Sequence, residues 1–317
     1  MRFREPVPEV RWEPEIRGRL IVAYGLVRYQ KINFERFISY IKNRALVMSF
    51  ARMGVEEEAH ASELASLFDP TEGPLERILT HEMAAVSDLV ELAQQIGDGA
   101  VKGILDRMII DHASYAAAFF ALRPSEEFGY RQLLGDLALK PRVGVPEEVS
   151  AAMELASPRF GRGTVDPTTL AGIATAVAIE SLLIEELRHV MKVFHDKETR
   201  EVCAWFAIAC ADHIAMLNYL EYPEKTPLER AISSEVAEVS GLERALKACE
   251  DPRAEAAITL ILNENRAHLD RLEGSFRKLE GGEPGRLAEL PPRRRPTVTV
   301  TDYISQVADK FGIERAA

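Results

Sequence analysis

The stretch "PLERILTHEMAAVSDL" at residues 74–89 is written a second time, with few changes, as "PLERAISSEVAEVSGL" at residues 227–242. The two copies are 153 residues apart (227 − 74 = 153), and the same shift aligns the surrounding sequence without a gap. Between residues 60–89 and 213–242, 13 of 30 positions are identical. A repeat of this length indicates duplicated domains rather than a solenoid of short units.

Each copy has the pattern of four helices. Turn-forming residues interrupt the first copy near Asn43, at 69–70 and at 97–99, and equivalent breaks recur at 195–196, 222–223 and 251–252. Short loops between long helices predict an all-α fold of two tandem antiparallel four-helix bundles. The predicted domains are an N-terminal lead (1–12), bundle 1 (13–122), a connecting segment (123–165), bundle 2 (166–280), and a linker with a C-terminal tail (281–317).

Composition narrows the function classes. The chain has 317 residues, 47% of them hydrophobic and 28% charged, with a net charge of −11. This balance argues against a general binder of nucleic acid or of anionic membranes. No secretory signal or membrane-spanning apolar run is visible, and three cysteines do not suggest a disulfide framework. We therefore expect a soluble, cytoplasmic protein.

Polar residues interrupt the apolar stripe of each predicted bundle. Glu82 and Glu235 occupy core positions of the two third helices, where an unpaired carboxylate costs several kcal/mol. The second helix of the first copy supplies Glu57 and His60, which lie three residues apart on one face, and that of the second copy supplies His213. These side chains are predicted to lie at the same level along the bundle axis as the glutamates.

The remaining helices complete one polar layer per repeat. The predicted layer of the first copy contains Glu57, His60, Glu82 and His112, and that of the second contains Glu180, His213, Glu235 and His268. Asp111, Tyr115, Cys210 and Glu264 are possible additional ligands. Two carboxylates with two imidazoles suit Fe, Mn or Zn better than Ca or Mg. A hydrogen-bonded network without metal is the alternative interpretation of both layers.

The pattern resembles the ferritin-like superfamily, including rubrerythrin-type and di-iron carboxylate proteins. That superfamily takes a Glu from the first helix, Glu-x-x-His from the second, a Glu from the third and Glu-x-x-His from the fourth. Neither copy matches fully, because Val27 replaces the first Glu of copy one, and copy two has Cys210-x-x-His213 and Asn265-x-x-His268. The resemblance implies iron or manganese, with zinc possible, and a role as a metal-dependent oxidoreductase or in iron or peroxide handling.

The C-terminal tail carries a second functional hypothesis. A Pro/Arg-rich linker leads to a short amphipathic helix on which Ile304, Val307 and Phe311 share one face. Such a helix can pack on its own body, bridge to a second subunit, or dock onto a protein partner through residues 298–314. The alternative function is therefore a catalytically lapsed ferritin-like scaffold that binds a partner through its tail. A homo-oligomer is compatible with both hypotheses, and neither nucleic acid nor a membrane is an expected partner.

Overall fold

A computed structural model of the chain describes residues 14–68, 72–122, 167–220, 226–280 and 298–310. The regular secondary structure of these residues is entirely α-helical, which confirms the predicted all-α class. The predicted lead (1–12), the connecting segment (123–165) and residues 281–297 of the linker lie outside the described residues. The helices are α1 (Pro14–Ile38), α2 (Arg44–Ala65), α3 (Pro74–Ala93), α4 (Gly99–Leu122), α5 (Pro167–Val193), α6 (Lys197–Leu220), α7 (Pro227–Ala248), α8 (Pro252–Glu280) and α9 (Val300–Lys310).

The repeated stretch forms the start of α3 and of α7. Both helices begin with its proline, whose fixed φ suits a first helical position that needs no N–H partner. At α7, the Thr226 hydroxyl accepts from the Glu229 amide at 3.2 Å, and the Glu229 carboxylate accepts from the Thr226 amide at 2.8 Å. At α3, Gly73 has no hydroxyl, but its amide donates to the Glu76 carboxylate at 2.9 Å, so the glutamate of the Pro-Leu-Glu motif accepts from the N-cap amide in both copies.

The helical hairpins pack across the repeats. The α1–α2 hairpin packs against α7 and α8, which we call bundle A, and the α3–α4 hairpin packs against α5 and α6, which we call bundle B. The prediction of tandem bundles, each built from a single repeat, is not confirmed, because each group of four helices takes one hairpin from each copy. Contacts of α1 with α3 and α5 join the two bundles.

Polar contacts select α7 as the partner of α1. The Gln30 amide donates to the Glu235 carboxylate at 2.6 Å and to the Ala231 carbonyl at 3.1 Å, and the Asn33 amide donates to the Ser234 hydroxyl at 3.3 Å. In α3 the position equivalent to Ser234 is His81 (234 − 153 = 81), which lacks that hydroxyl. The apolar stripes of the two copies are alike, and α3 carries Glu82 at the position of Glu235, so the Asn33–Ser234 pair is the contact that distinguishes the two possible partners.

Helix α9 packs on the outer side of bundle B. Its Tyr303, Ile304 and Val307 are buried among side chains of α3 and α4. The Tyr303 hydroxyl donates to Asp106 at 2.7 Å, and the Lys310 ammonium donates to the same carboxylate at 2.9 Å. The tail helix therefore packs over Asp106, a buried aspartate of its own chain. Phe311 lies outside the described residues, and docking of residues 298–314 onto a partner stays a prediction.

None of the described helices combines the length and the apolar composition that a membrane crossing requires.

Candidate metal centres

The eight predicted ligands lie in two buried clusters, but these clusters are not the predicted layers. His112 of the first copy contacts Glu180 of the second, and Glu57 of the first copy contacts His268 of the second. The prediction of one layer per repeat is corrected, because the exchange of hairpins divides the ligands differently. Centre I, in bundle A, contains Glu57, His60, Glu235, Glu238 and His268, and centre II, in bundle B, contains Glu82, His112, Glu180 and His213.

Glu57 lies in the middle of centre I and is completely buried. Its Oε1 is 2.9 Å from Nδ1 of His268, and its Oε2 is 3.1 Å from Nδ1 of His60. Glu235 approaches the same His268 nitrogen at 3.5 Å, and its other oxygen accepts from Gln30 at 2.6 Å. Both imidazoles thus direct Nδ1 into the cluster.

Glu238 was missed by the sequence analysis. It lies three residues after Glu235 on the same face of α7, is fully buried, and accepts a hydrogen bond from Asn265. The first copy has Ala85 at the equivalent position (238 − 153 = 85), so a search for polar residues shared by both repeats does not find it. The i, i+3 spacing from a predicted core glutamate was the available signal.

Burial and neighbouring charges shift the pKa values of the centre I side chains. Burial and the charge of Glu57 raise the pKa of Glu235 to about 7, although the hydrogen bond to His268 lowers it. Burial and the charges of Glu57 and Glu235 raise the pKa of Glu238 well above its usual value. Burial lowers the pKa of His268, but Glu235 and Glu57 raise it more strongly, to about 10. The raised pKa of His268 favours an imidazolium beside the Glu57 carboxylate.

Centre II is built around Glu180 of α5. Its Oε1 accepts from Nε2 of His112 and from Nδ1 of His213, both at 2.8 Å. The second imidazole nitrogen of His112 faces Glu82 at 2.7 Å. The second nitrogen of His213 faces Asp111 at 3.2 Å, and Arg107 donates to that aspartate at 2.8 Å. All these side chains are buried.

The electrostatics of centre II also favour protonated imidazoles around a carboxylate. Burial lowers the pKa of His213, but Glu180 and Asp111 raise it to about 9. Burial likewise opposes protonation of His112, yet Glu180 and Glu82 raise its pKa well above its usual value. Burial alone would raise the pKa of Glu180, but His112 and His213 hold it far below its ordinary range.

The four additional candidates occupy different positions around the centres. Asp111 contacts His213 from the side away from Glu180, and Glu264 contacts the outer nitrogen of His60 at 2.6 Å. Cys210 is buried, and burial together with Glu180 and Glu82 raises the pKa of its thiol well above its usual value. Tyr115 lies edge-on to His112, with ring centroids 5.8 Å apart. Whether any of the twelve predicted residues binds metal stays a prediction.

The donor atoms have the spacing that a metal ion requires. Three triads each bring their ligand atoms within 4.8 Å of one another: His112 with Glu180 and His213, Glu57 with Glu235 and His268, and Glu57 with His60 and Glu238. Several buried carboxylate oxygens have no hydrogen-bond partner among the described residues: Glu82 Oε1, Asp111 Oδ1, Glu180 Oε2, Glu235 Oε1 and Glu238 Oε2. Such oxygens cost stability unless a further group binds them, and a cation fits that need.

Comparisons with models of protein families, with curated proteins and with solved structures found no significant match to this chain.

Proposed function

We propose that this chain is a transition-metal-binding protein of ferritin-like type, with iron or manganese in centre I and centre II. One observation carries the proposal, namely that two triads of centre I share Glu57. One oxygen of this carboxylate faces His268 and the other faces His60, which is the arrangement that a carboxylate bridging two ions needs. Imidazole with carboxylate is a donor set that suits iron, manganese and zinc.

Connection lengths agree with the exchange of hairpins between the repeats. A ferritin-like bundle contains one long crossover between its second and third helices. Helix α2 has 22 residues, which corresponds to about 33 Å. The link between α2 and α3, residues 66–73, spans at most about 29 Å when fully extended. Such a short link cannot run back along the bundle, and exchange of hairpins removes the need for it.

The proposed roles of the residues follow from their positions. In centre I, Glu57 would bridge two ions, Glu235 and His268 would complete one ligand set, and His60 with Glu238 would complete the other. In centre II, His112, Glu180 and His213 would hold a single ion. A bound redox-active pair of ions supplies one-electron steps, which agrees with an oxidoreductase or with iron and peroxide handling. The buried helices around both centres exclude bulk water.

Metal stoichiometry tests the proposal. The protein is purified without chelator, stripped, and titrated with Fe(II), Mn(II) and Co(II), with elemental analysis of the loaded forms. We expect two ions at centre I and one at centre II. Glu57→Gln should remove both ions of centre I, because both triads use this carboxylate, whereas Glu238→Gln should remove one.

Glu63→Gln is the matched control, because Glu63 is an exposed carboxylate of the same helix α2 as Glu57. It should leave the stoichiometry unchanged. If the wild-type protein takes up none of these ions and also contains no metal as purified, the proposed function is wrong and the clusters are hydrogen-bonded networks.

A further inference from the structure

The outer nitrogens of the centre I imidazoles meet carboxylates that reach solvent. Nε2 of His60 is 2.6 Å from the carboxylate of Glu264, whose side chain is 50% exposed. Nε2 of His268 is 2.8 Å from the carboxylate of Glu56, whose side chain is 27% exposed. Each imidazole of centre I therefore lies between a buried carboxylate and one that touches water.

Centre II differs in this respect. Both nitrogens of His112 face buried carboxylates, Glu82 and Glu180. The outer nitrogen of His213 faces Asp111, which is itself buried and paired with Arg107. Among the described residues, a solvent-exposed carboxylate in direct contact with a ligand imidazole thus occurs at centre I and not at centre II.

The two exposed carboxylates of centre I are held differently. Arg52 donates to Glu56 at 2.8 Å and Arg271 lies 3.4 Å from it, so two guanidinium groups fix this side chain. Among the described residues, the side-chain hydrogen bond of Glu264 is the one to His60. It lies on α8, which contacts α2 over a smaller area of the helix than it contacts α7. Glu264 can therefore turn between His60 and water without breaking an ion pair to arginine.

We propose that Glu264 is the access residue through which divalent cations reach centre I, an inference that rests on the proposed function of that centre. A half-exposed carboxylate concentrates cations at the seam between α2 and α8 and can take one water's place on a hydrated ion. When its side chain turns back toward His60, the ion lies next to the imidazole that bonds to Glu57.

Stopped-flow uptake of Co(II) by the stripped, full-length protein tests the proposal. The kinetic phase that Glu57→Gln removes belongs to centre I. Glu264→Gln keeps the shape of the side chain and an oxygen for the Nε2–H, but it lacks the charge. We expect association and dissociation of Co(II) at centre I to slow by about tenfold together, because an access residue changes rates without changing the equilibrium constant.

Asp270→Asn is the matched control, because Asp270 is an exposed carboxylate on the same helix. It should leave both rates unchanged. An unchanged association rate in Glu264→Gln, or equal slowing in the control, overturns the proposal. A lower Co(II) affinity of Glu264→Gln that arises from faster dissociation alone also overturns it. Glu264 would then position His60 without admitting the ion. Wild-type protein that binds no Co(II) at either centre would instead contradict the proposed function itself.

Discussion

Glu57 and Glu180 are the central carboxylates of their centres, and each contacts two imidazoles in a different way. Glu57 uses one oxygen for each imidazole. Glu180 uses Oε1 for both imidazoles, while its Oε2 has no hydrogen-bond partner among the described residues. The first geometry suits a bridge between two ions, and the second suits one ion with a 2-His-1-carboxylate ligand set. The two centres therefore differ in geometry although the sequence repeats.

A double-mutant cycle between Glu82 and His112 tests the grouping of residues in centre II. Either single change to leucine leaves a buried partner uncompensated and should lower the free energy of unfolding by about 3–5 kcal/mol. The double variant should lose less than the sum, with a coupling of roughly 0.5–3 kcal/mol, because the two groups are in contact at 2.7 Å. Urea denaturation of the metal-free protein measures all four free energies.

The control cycle pairs Glu82→Leu with His60→Leu, a histidine of the other centre. These changes should add within about 0.5 kcal/mol, since the residues share no partner. Coupling of Glu82 to His60 instead of His112 would contradict this grouping and support a single polar layer within the first repeat.

The pH dependence of metal binding follows from the raised imidazole pKa values. Histidine has an ordinary pKa near 6.5, whereas the folded-state values are about 9 for His213 and about 10 for His268. A raised folded-state pKa stabilises the metal-free fold fully below about 6.5, and this contribution is lost as the pH rises through about 9 to 10.

Metal affinity should change in the opposite direction. An ion needs neutral imidazoles, so uptake at neutral pH releases protons and the apparent affinity increases as the pH rises. Calorimetric titration with Co(II) in two buffers of different ionisation enthalpy counts the protons released. An affinity and a proton count that do not vary with pH would contradict these assignments.

At the scale of single elements, α9 is the helix with the most unusual position. It follows the Pro/Arg-rich linker in sequence, yet it contributes Tyr303, Ile304 and Val307 to a core shared with α3 and α4. The helix starts after Thr299, whose hydroxyl accepts from the Asp302 amide at 3.1 Å. Its attachment depends on Asp106, which is 2% exposed and so needs its two donors.

Tyr303→Phe should loosen this attachment. The change removes a hydrogen bond to a buried carboxylate, and hydrogen bonds to charged groups contribute about 1.5–3 kcal/mol. Amide hydrogen exchange in α9 should therefore accelerate by at least about tenfold, while exchange in α2 and α8 stays unchanged. Lys310→Met is the comparison, with a smaller effect, because Lys310 is 56% exposed. Equal exchange in wild type and Tyr303→Phe would show that the tail is held by its apolar contacts alone.

At the scale of the whole molecule, the exchange of hairpins makes each centre depend on both halves of the chain. Centre I joins Glu57 of the first copy to His268 of the second, and centre II joins His112 to Glu180. Neither half of the sequence contains all the ligands of one centre. A fragment that ends between the repeats should therefore lack both centres in the form described.

An engineered disulfide tests the exchange directly. In a variant whose three native cysteines are replaced by alanine, Asn33→Cys with Ser234→Cys should oxidise readily. The Asn33 amide nitrogen and the Ser234 hydroxyl are 3.3 Å apart across α1 and α7, so the two positions are direct neighbours. The product is measured by mass spectrometry and by mobility without reductant.

Asn33→Cys with His81→Cys is the matched control, since His81 occupies in α3 the position of Ser234 in α7. It should oxidise poorly. If this control pair forms the disulfide instead, α1 packs against α3 at these positions, as expected for a bundle built from a single repeat.

Much of this architecture could be predicted from the repeat, whereas the choice of partners could not. The Pro-Leu-Glu motif at Pro74 and Pro227 identified two helix starts, and the polar interruptions identified eight residues that all lie in the centres. Periodicity tells which face of a helix is buried but not which of two similar helices covers it. The pair Asn33–Ser234 distinguishes them, because α3 has His81 at the position of Ser234, and it joins positions 201 residues apart.

The exchange also determines when the protein can fold during its synthesis. Gln30 and Glu235 are separated by 205 residues, and His268 and Glu57 by 211. At roughly 5–20 residues per second, α1 and α2 wait about 10–40 s on the ribosome before α7 and α8 exist to cover them. Their apolar faces are exposed during that interval, so this chain should depend on chaperones more than a protein whose bundles close in sequence order. Neither centre can be complete until the second repeat has emerged.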